Sequence, residues 1–127
     1  MNASMKGVIM LLLLMPAISQ ASEAECLAAI MFSEARGESV EGVIAVGHAS
    51  INRSKVSKQK ICNLKGVTKR QAPKEVKSSY IALAKSSLST KSVVGKADSW
   101  ERGVIPHRAG SITRRIGKHV FYVMAGL

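Results

Sequence analysis

The chain has 127 residues, with 19 Lys and Arg against 8 Asp and Glu, so its formal net charge is +11. This length suits one small domain with one core and leaves no room for a separate binding domain. The charge indicates a polyanionic partner. Because aromatic residues are sparse, with one Trp, two Tyr and two Phe, the composition excludes a single-strand nucleic-acid binder. No helix-turn-helix or zinc-finger spacing occurs either, and we expect no specific nucleic-acid partner.

Residues 1–21 have the features of a secretory signal. Lys6 supplies a positive charge, Gly7 to Met15 is almost wholly apolar, and Ser19-Gln20-Ala21 offers small residues for a signal peptidase. The apolar run is shorter than the ~20 residues of a membrane span. We therefore predict export to the periplasm, the extracellular space or the cell wall, with the domain covering residues 22–127. An uncleaved signal-anchor that tethers the protein transiently to the membrane is one alternative, and a buried N-terminal helix is another.

The two cysteines of an exported chain predict one disulfide, between Cys26 and Cys62. It would join the first helix to the loop after the second and stabilise the fold by restricting the unfolded chain. Two buried thiols are the alternative, because the sequence does not determine the distance between them. The Cys and His residues show none of the paired spacings of zinc sites. We expect no metal and no cofactor.

The first helix is predicted over Ala24 to Arg36, and Gly37 is placed to end it. On this helix, Glu34 continues the apolar stripe of Leu27, Ile30 and Met31, which follow the i, i+3, i+4 rule. A carboxylate at the end of an apolar stripe is costly to ionise. That environment favours a general acid, which must keep its proton near neutral pH. The alternative is a structural Glu that turns outward from the helix end.

The second helix is predicted to begin at Ser39, a capping residue, and to end at Asn52, Arg53 and Ser54. Its small residues predict that another backbone packs closely against it. They are Gly42, Ala45, Gly47 and Ala49.

The remainder of the chain predicts a surface loop, a third helix and two short extended segments. The basic loop covers Lys55 to Ala72, and Pro73 suits the first position of the helix. Ala97 to Trp100 and His119 to Met124 are the extended segments, with Gly103, Pro106 and Gly110 marking turns between them. The apolar face predicted for the third helix is Val76, Tyr80, Leu83, Ala84 and Leu88. The predicted class is α+β, mostly helical with a short β-sheet.

Several strings in the chain resemble the spore-cortex-lytic (SleB-like) cell wall hydrolase family. These are Ser33-Glu34-Ala35-Arg36-Gly37-Glu38, then Glu41-Gly42, Ala45-Val46-Gly47 and Asn52-Arg53, and the ending Arg115 to Tyr122, with a weaker match at Gly95 to Trp100. The resemblance implies a small lysozyme-like domain that cleaves the β-1,4 bond between N-acetylmuramic acid and N-acetylglucosamine in peptidoglycan. It implies lytic transglycosylase activity, with Glu34 as the essential acid.

The small number of acids favours that chemistry over hydrolysis. A glycosidase usually needs two carboxylates, and no second acid occupies an obviously buried position in the sequence. A lytic transglycosylase can work with Glu34 alone, giving anhydro-muramyl ends, while a hydrolytic muramidase stays open. Glu38 is a candidate assisting carboxylate, or it pairs with Arg36 or Arg53. The candidate substrate-binding residues, each with a structural alternative, are Asn52, Arg53, Ser54, Trp100 and Tyr122.

We therefore predict an exported, monomeric muralytic enzyme that acts on peptidoglycan glycan strands. It would be a phage-type or minimal bacterial lysin. One alternative from another class is a catalytically inert wall-binding or structural protein of the same fold. A second is a basic antimicrobial or nucleic-acid-binding protein that acts by charge alone.

Overall fold

The computed structural model describes residues 22–65, 67, 74–103 and 109–124. The predicted export signal and Pro73 lie outside these residues. The described elements are three helices, α1 (Glu23–Ala35), α2 (Val40–Ser57) and α3 (Lys74–Ser89), a short 3-10 helix (Ile61–Asn63), and three strands, β1 (Ser99–Arg102), β2 (Ala109–Ile116) and β3 (His119–Met124). This confirms the predicted α+β class. None of these helices is both long enough and apolar enough to cross a membrane.

Helix α1 is bounded by local signals at both ends. Ser22 and Glu25 form a reciprocal capping box, in which the Ser22 hydroxyl accepts from the Glu25 N–H and the Glu25 carboxylate accepts from the Ser22 N–H. At the other end Gly37 has a φ of 86°, a conformation that glycine adopts without steric strain. The predicted helix boundaries are therefore confirmed to within one residue.

Helix α2 starts as predicted but ends later than predicted. The Ser39 hydroxyl accepts a hydrogen bond from the Gly42 N–H at 3.2 Å. The helix then continues to Ser57, where Lys58 closes it in a left-handed conformation with a φ of 55°. The expected end at residues 52–54 was wrong, because the polar side chains there bond to other segments without interrupting the helical backbone.

The small residues of α2 allow the close approach that the sequence predicts. A Cβ added at Gly47 would stand 2.8 Å from the Ser87 Oγ and 3.3 Å from the Met31 Cε, so α3 and α1 both pack against this position. One residue was wrongly predicted to lie on the buried apolar face of α3. Leu88 is 37% exposed, and Ser87 is buried in its place, since only a small side chain fits opposite Gly47.

The disulfide between Cys26 and Cys62 is present in the structure, with a Cα–Cα distance of 5.1 Å. It connects α1 to the 3-10 helix and closes a sequence separation of 36 residues. The cross-link braces the end of the helical layer that lies nearest the start of the domain.

The sheet is antiparallel in the order β1-β3-β2, with β3 in the centre. Strand β2 includes Gly110, so the turn expected at that residue was wrong, whereas Gly103 lies at a bend with a φ of 77° and Pro106 lies outside the described residues. Six of its eight residues are exposed, and its register shifts twice against β3. An exposed edge strand has no apolar alternation, which is why sequence periodicity missed it.

Candidate active site

Glu34 lies in the last turn of α1, at the point where the helix emerges from the core. Leu27, Ile30 and Met31 on the preceding turns are fully buried, whereas Glu34 is exposed. The expected burial of this carboxylate was therefore wrong, because the apolar stripe stops one turn before the helix end. The side chain turns outward, and it does so into a groove.

Two cavities adjoin at Glu34, with volumes of about 700 and 450 Å³. Both are lined by Glu34, Trp100 and Glu101, so they form one groove with these three residues at its middle. We call the two cavities together the groove. A carboxylate shared by two adjoining cavities can reach a bond within a chain that occupies both of them.

Trp100 lies in a position that is compatible with both of the roles that the sequence left open. It packs against the hydrophobic core as a partly buried residue, and it also lines the groove on both sides of Glu34. Its position on β1, opposite Phe121 of the central strand, fixes the ring at the groove floor. A flat aromatic face at such a position suits an apolar sugar face.

Glu101 is a groove residue that sequence reasoning missed. It follows Trp100 on β1 and is half-buried, and its Oε1 accepts a hydrogen bond from the Tyr122 hydroxyl at 3.4 Å. The groove therefore contains a second carboxylate, and it is Glu101 rather than the candidate Glu38. The only sequence signal was that Glu101 directly follows the family-like Trp100 segment. Its pairing with β3 could not be known from that segment alone.

Glu38 turns toward the hairpin between β2 and β3 rather than into the groove. Its Oε1 lies 3.3 Å from the Lys118 backbone nitrogen and 3.2 Å from the His119 Nδ1, and its side chain is only 10% exposed. The contact with His119 is close, but the ring N–H is not aligned for a hydrogen bond. The partner of Glu38 is therefore the hairpin, and not Arg36 or Arg53 as the structural alternative predicted.

His119 connects this buried contact to the groove. It is 2% exposed and lines the cavity that contains Glu34. Burial lowers the pKa of His119 below its ordinary value. The negative charges of Glu38 and Glu34 raise the pKa of His119, whereas the positive charge of Arg102 lowers it further. A mostly neutral imidazole therefore lies beside the candidate acid.

The remaining predicted substrate-binding residues divide into two groups. Arg53 and Tyr122 line the larger cavity, although Tyr122 is almost fully buried. The Asn52 amide instead donates to the carbonyls of Gly95 and Ala97, and the Ser54 hydroxyl donates to the Gln59 carbonyl. Asn52 and Ser54 thus brace loops, and the structure does not place them among the residues lining the groove.

In the part of the chain that the structure describes, no three His, Cys, Asp or Glu side chains come together in a way that could hold a metal ion. The described side chains that line the groove include carboxyl, imidazole, guanidinium and indole groups. Such a set can transfer protons and stabilise charge at a bound polar chain.

Comparison with known proteins shows a similarity of fold. No protein-family model and no curated protein sequence matches the chain. A solved structure does match, that of the catalytic domain of the germination-specific lytic transglycosylase SleB from Bacillus anthracis. The TM-score is 0.58 at 18% sequence identity, and the match covers 84% of this chain and 98% of that domain. The lysozyme-like fold expected from the sequence motifs is therefore confirmed.

Proposed function

We propose that this protein cleaves the β-1,4 bond between N-acetylmuramic acid and N-acetylglucosamine in peptidoglycan, with Glu34 as general acid and base. The observation that carries the proposal is the position of Glu34, a carboxylate at the midpoint of a groove with Trp100 beside it. The similar solved domain is described as a lytic transglycosylase, which supports the same chemistry here. The net charge of +11 suits an anionic wall polymer.

The proposed reaction needs one carboxyl group and no water. Glu34 first donates its proton to the glycosidic oxygen, and the bond from that oxygen to the muramyl C1 breaks. The Glu34 carboxylate then takes the proton from the C6 hydroxyl of the same muramyl residue, whose oxygen bonds to C1. An anhydro-muramyl end forms, and Glu34 regains its proton for the next cycle.

The exposure of Glu34 in the free protein is compatible with this role. A glycan strand that fills the groove displaces water from both sides of the carboxyl group. Because removing water disfavours the ionised form of a carboxyl group, substrate binding itself prepares the acid. Ile30 of the apolar stripe and the indole of Trp100 line the groove and supply apolar surface next to Glu34 in that complex.

Hydrolysis by a muramidase mechanism is a second candidate, and Glu101 favours it. A second carboxylate in the same groove is what a retaining or inverting glycosidase uses as nucleophile or base. Mass spectrometry of the released muropeptides separates the two reactions. Anhydro ends are one water lighter than reducing ends, and we expect the anhydro products.

The catalytic test compares Glu34→Gln with wild type in a turbidity assay on purified cell walls. General acid–base help is typically worth ~100- to 10,000-fold, so we expect a loss in that range. Glu41→Gln is the matched control, because Glu41 is an exposed acid that pairs with Arg114 at 2.8 Å outside the groove. Equal clearing by wild type and Glu34→Gln would reject the mechanism. Wall binding without clearing by wild type would favour an inert wall-binding protein.

We also propose that the protein acts outside the cytoplasm, with residues 1–21 as the export signal. The disulfide supports this, because such bonds persist in oxidising compartments. Cell fractionation with N-terminal sequencing of the exported protein tests it. A mature chain that begins near residue 22 is expected, whereas an intact N-terminus in the membrane fraction would indicate a signal-anchor.

A further inference from the structure

A third cavity of about 410 Å³ extends the groove beyond Glu34. It shares Arg102 and His119 with the smaller groove cavity, so the two are continuous. Arg102, Arg115 and Lys118 line it, and its described lining includes no Asp or Glu, although Glu38 lies behind the turn at Lys118. We call it the basic cavity. Its composition differs from that of the groove, whose lining includes the carboxylates Glu34 and Glu101 as well as cations.

The cations of the basic cavity are not used to hold the fold together. Among the described residues, Arg102, Arg115 and Lys118 make no salt bridge, and all three are exposed. The adjacent Arg114 behaves differently, since it bonds to the Glu41 carboxylate at 2.8 Å and to a backbone carbonyl at 2.9 Å. The side chains that line the cavity are therefore available to an anionic ligand.

The backbone holds these cations on a common frame. Arg102 lies opposite His119 in the register of β1 and β3. The Gly103 N–H donates to the Lys118 carbonyl at 3.0 Å, which joins the end of β1 to the turn before β3. Glu38 holds the same turn from behind, at the Lys118 backbone nitrogen. Because the backbone frame is formed in advance, the conformational entropy lost on binding there is mainly that of the cationic side chains.

We propose that the basic cavity binds carboxylates of the stem peptide carried by the muramyl residue, while the glycan strand occupies the groove. This inference rests on the proposed function, which places a muramyl sugar next to Glu34. The lactyl group of that sugar leads the peptide away from the glycan axis, and the basic cavity is continuous with the Glu34 cavity. Arginine matches a carboxylate with two parallel hydrogen bonds, which suits peptide carboxylates.

The test measures binding, so that it is independent of cleavage. Glu34→Gln protein is titrated with sacculi freed of phosphate polymers by hydrofluoric acid, either native or with their peptide carboxylates converted to neutral amides. Exposed charge pairs contribute modestly, so we expect amidation to weaken binding by roughly 2- to 25-fold. Adding Arg115→Gln and Lys118→Gln should reduce the effect of amidation to less than about twofold. Adding Lys85→Gln and Lys91→Gln, two exposed cations that do not line the basic cavity, should retain it.

Three results would overturn the inference. The first is equal affinity for native and amidated sacculi. The second is an undiminished effect of amidation in the Arg115→Gln and Lys118→Gln protein. The third is an affinity that falls only between sacculi left untreated and sacculi treated with hydrofluoric acid, since the phosphate polymers would then be the ligand. Equal clearing by wild type and Glu34→Gln rejects the proposed reaction instead, so the two failures are distinguishable.

Discussion

Asn52 is the residue whose substitution tests the link between the helical layer and the groove. Its Nδ2 donates to the Gly95 carbonyl at 2.9 Å and to the Ala97 carbonyl at 2.8 Å. Those carbonyls belong to the loop that leads into β1, and β1 carries Trp100. Asn52→Asp preserves the shape of the side chain but removes both N–H donors and turns a negative charge toward the two carbonyl oxygens.

The magnitude follows from these contacts. Each lost hydrogen bond contributes about 0.5–1.5 kcal/mol, and a buried carbonyl left without a donor adds about 1–3 kcal/mol. Ala97 is fully buried, so its carbonyl has little access to replacement water. We expect Asn52→Asp to lower the free energy of unfolding by about 3–5 kcal/mol. Asn52→Ala, which lacks the repelling charge, should cost less.

The assay is urea denaturation followed by the fluorescence of Trp100, the only tryptophan. The transition midpoint should fall while its slope stays constant, since the same surface is exposed on unfolding. Because the released loop displaces Trp100, the native-state emission of Asn52→Asp should also shift, and its wall-clearing rate should fall more than the folded fraction does.

Asn63→Asp is the matched control, because Asn63 is exposed on the 3-10 helix. This substitution makes the same chemical change without breaking a tertiary side-chain contact. We therefore expect its free energy of unfolding to be within about 0.5 kcal/mol of that of wild type. If Asn52→Asp unfolds at the same urea concentration as Asn63→Asp, the loop is not held by Asn52 and the reasoning is refuted.

Three further predictions concern stability. Gly47→Ala should lower the free energy of unfolding by about 1–3 kcal/mol, because the new Cβ would stand 2.8 Å from the Ser87 Oγ. Adding Ser87→Ala should recover part of the loss. A higher free energy of unfolding for Gly47→Ala in chemical denaturation would contradict the close packing. Replacing both Cys26 and Cys62 by Ser should lower the free energy of unfolding by about 4 kcal/mol for a loop of this length. A thermal midpoint equal to that of wild type would show that the disulfide does not stabilise the fold. Burial lowers the pKa of His48, and the Ser87 backbone opposes this. The fold therefore favours the neutral ring of His48. The free energy of unfolding is highest above about pH 6.5, the ordinary pKa of histidine, and it decreases as the pH falls below that value. His48→Gln should show a smaller drop in urea midpoint between pH 8 and pH 5.5, and an equal drop would assign the effect to other groups.

The helical layer was predictable because its signals are local. Ser39 caps α2 through an N–H three residues away, and Gly37 ends the preceding helix through its own φ. The spacing of Leu27 and Met31 identified the buried face of α1. These features depend on residues within one or two helical turns, so the sequence contains all the information needed to place them.

The sheet was predictable only in part, because strand pairing connects distant residues. Central β3 is apolar and was identified, whereas β2 is exposed and carries charged residues such as Arg114 and Arg115. Its strand character comes from hydrogen bonds to β3. Glu101 was missed for the same reason, since its place in the groove depends on the pairing of β1 with β3.

By itself, the sequence determined the fold class, the helix starts, the cysteine pair and the choice of Glu34 as the candidate acid. Only the tertiary structure decided that Glu34 is exposed, that Asn52 braces a loop, and that Glu38 faces the hairpin. The physical reason is the range of the interactions. Caps and apolar periodicity act within a few residues, whereas a groove is formed by side chains that are neighbours only after the strands have paired.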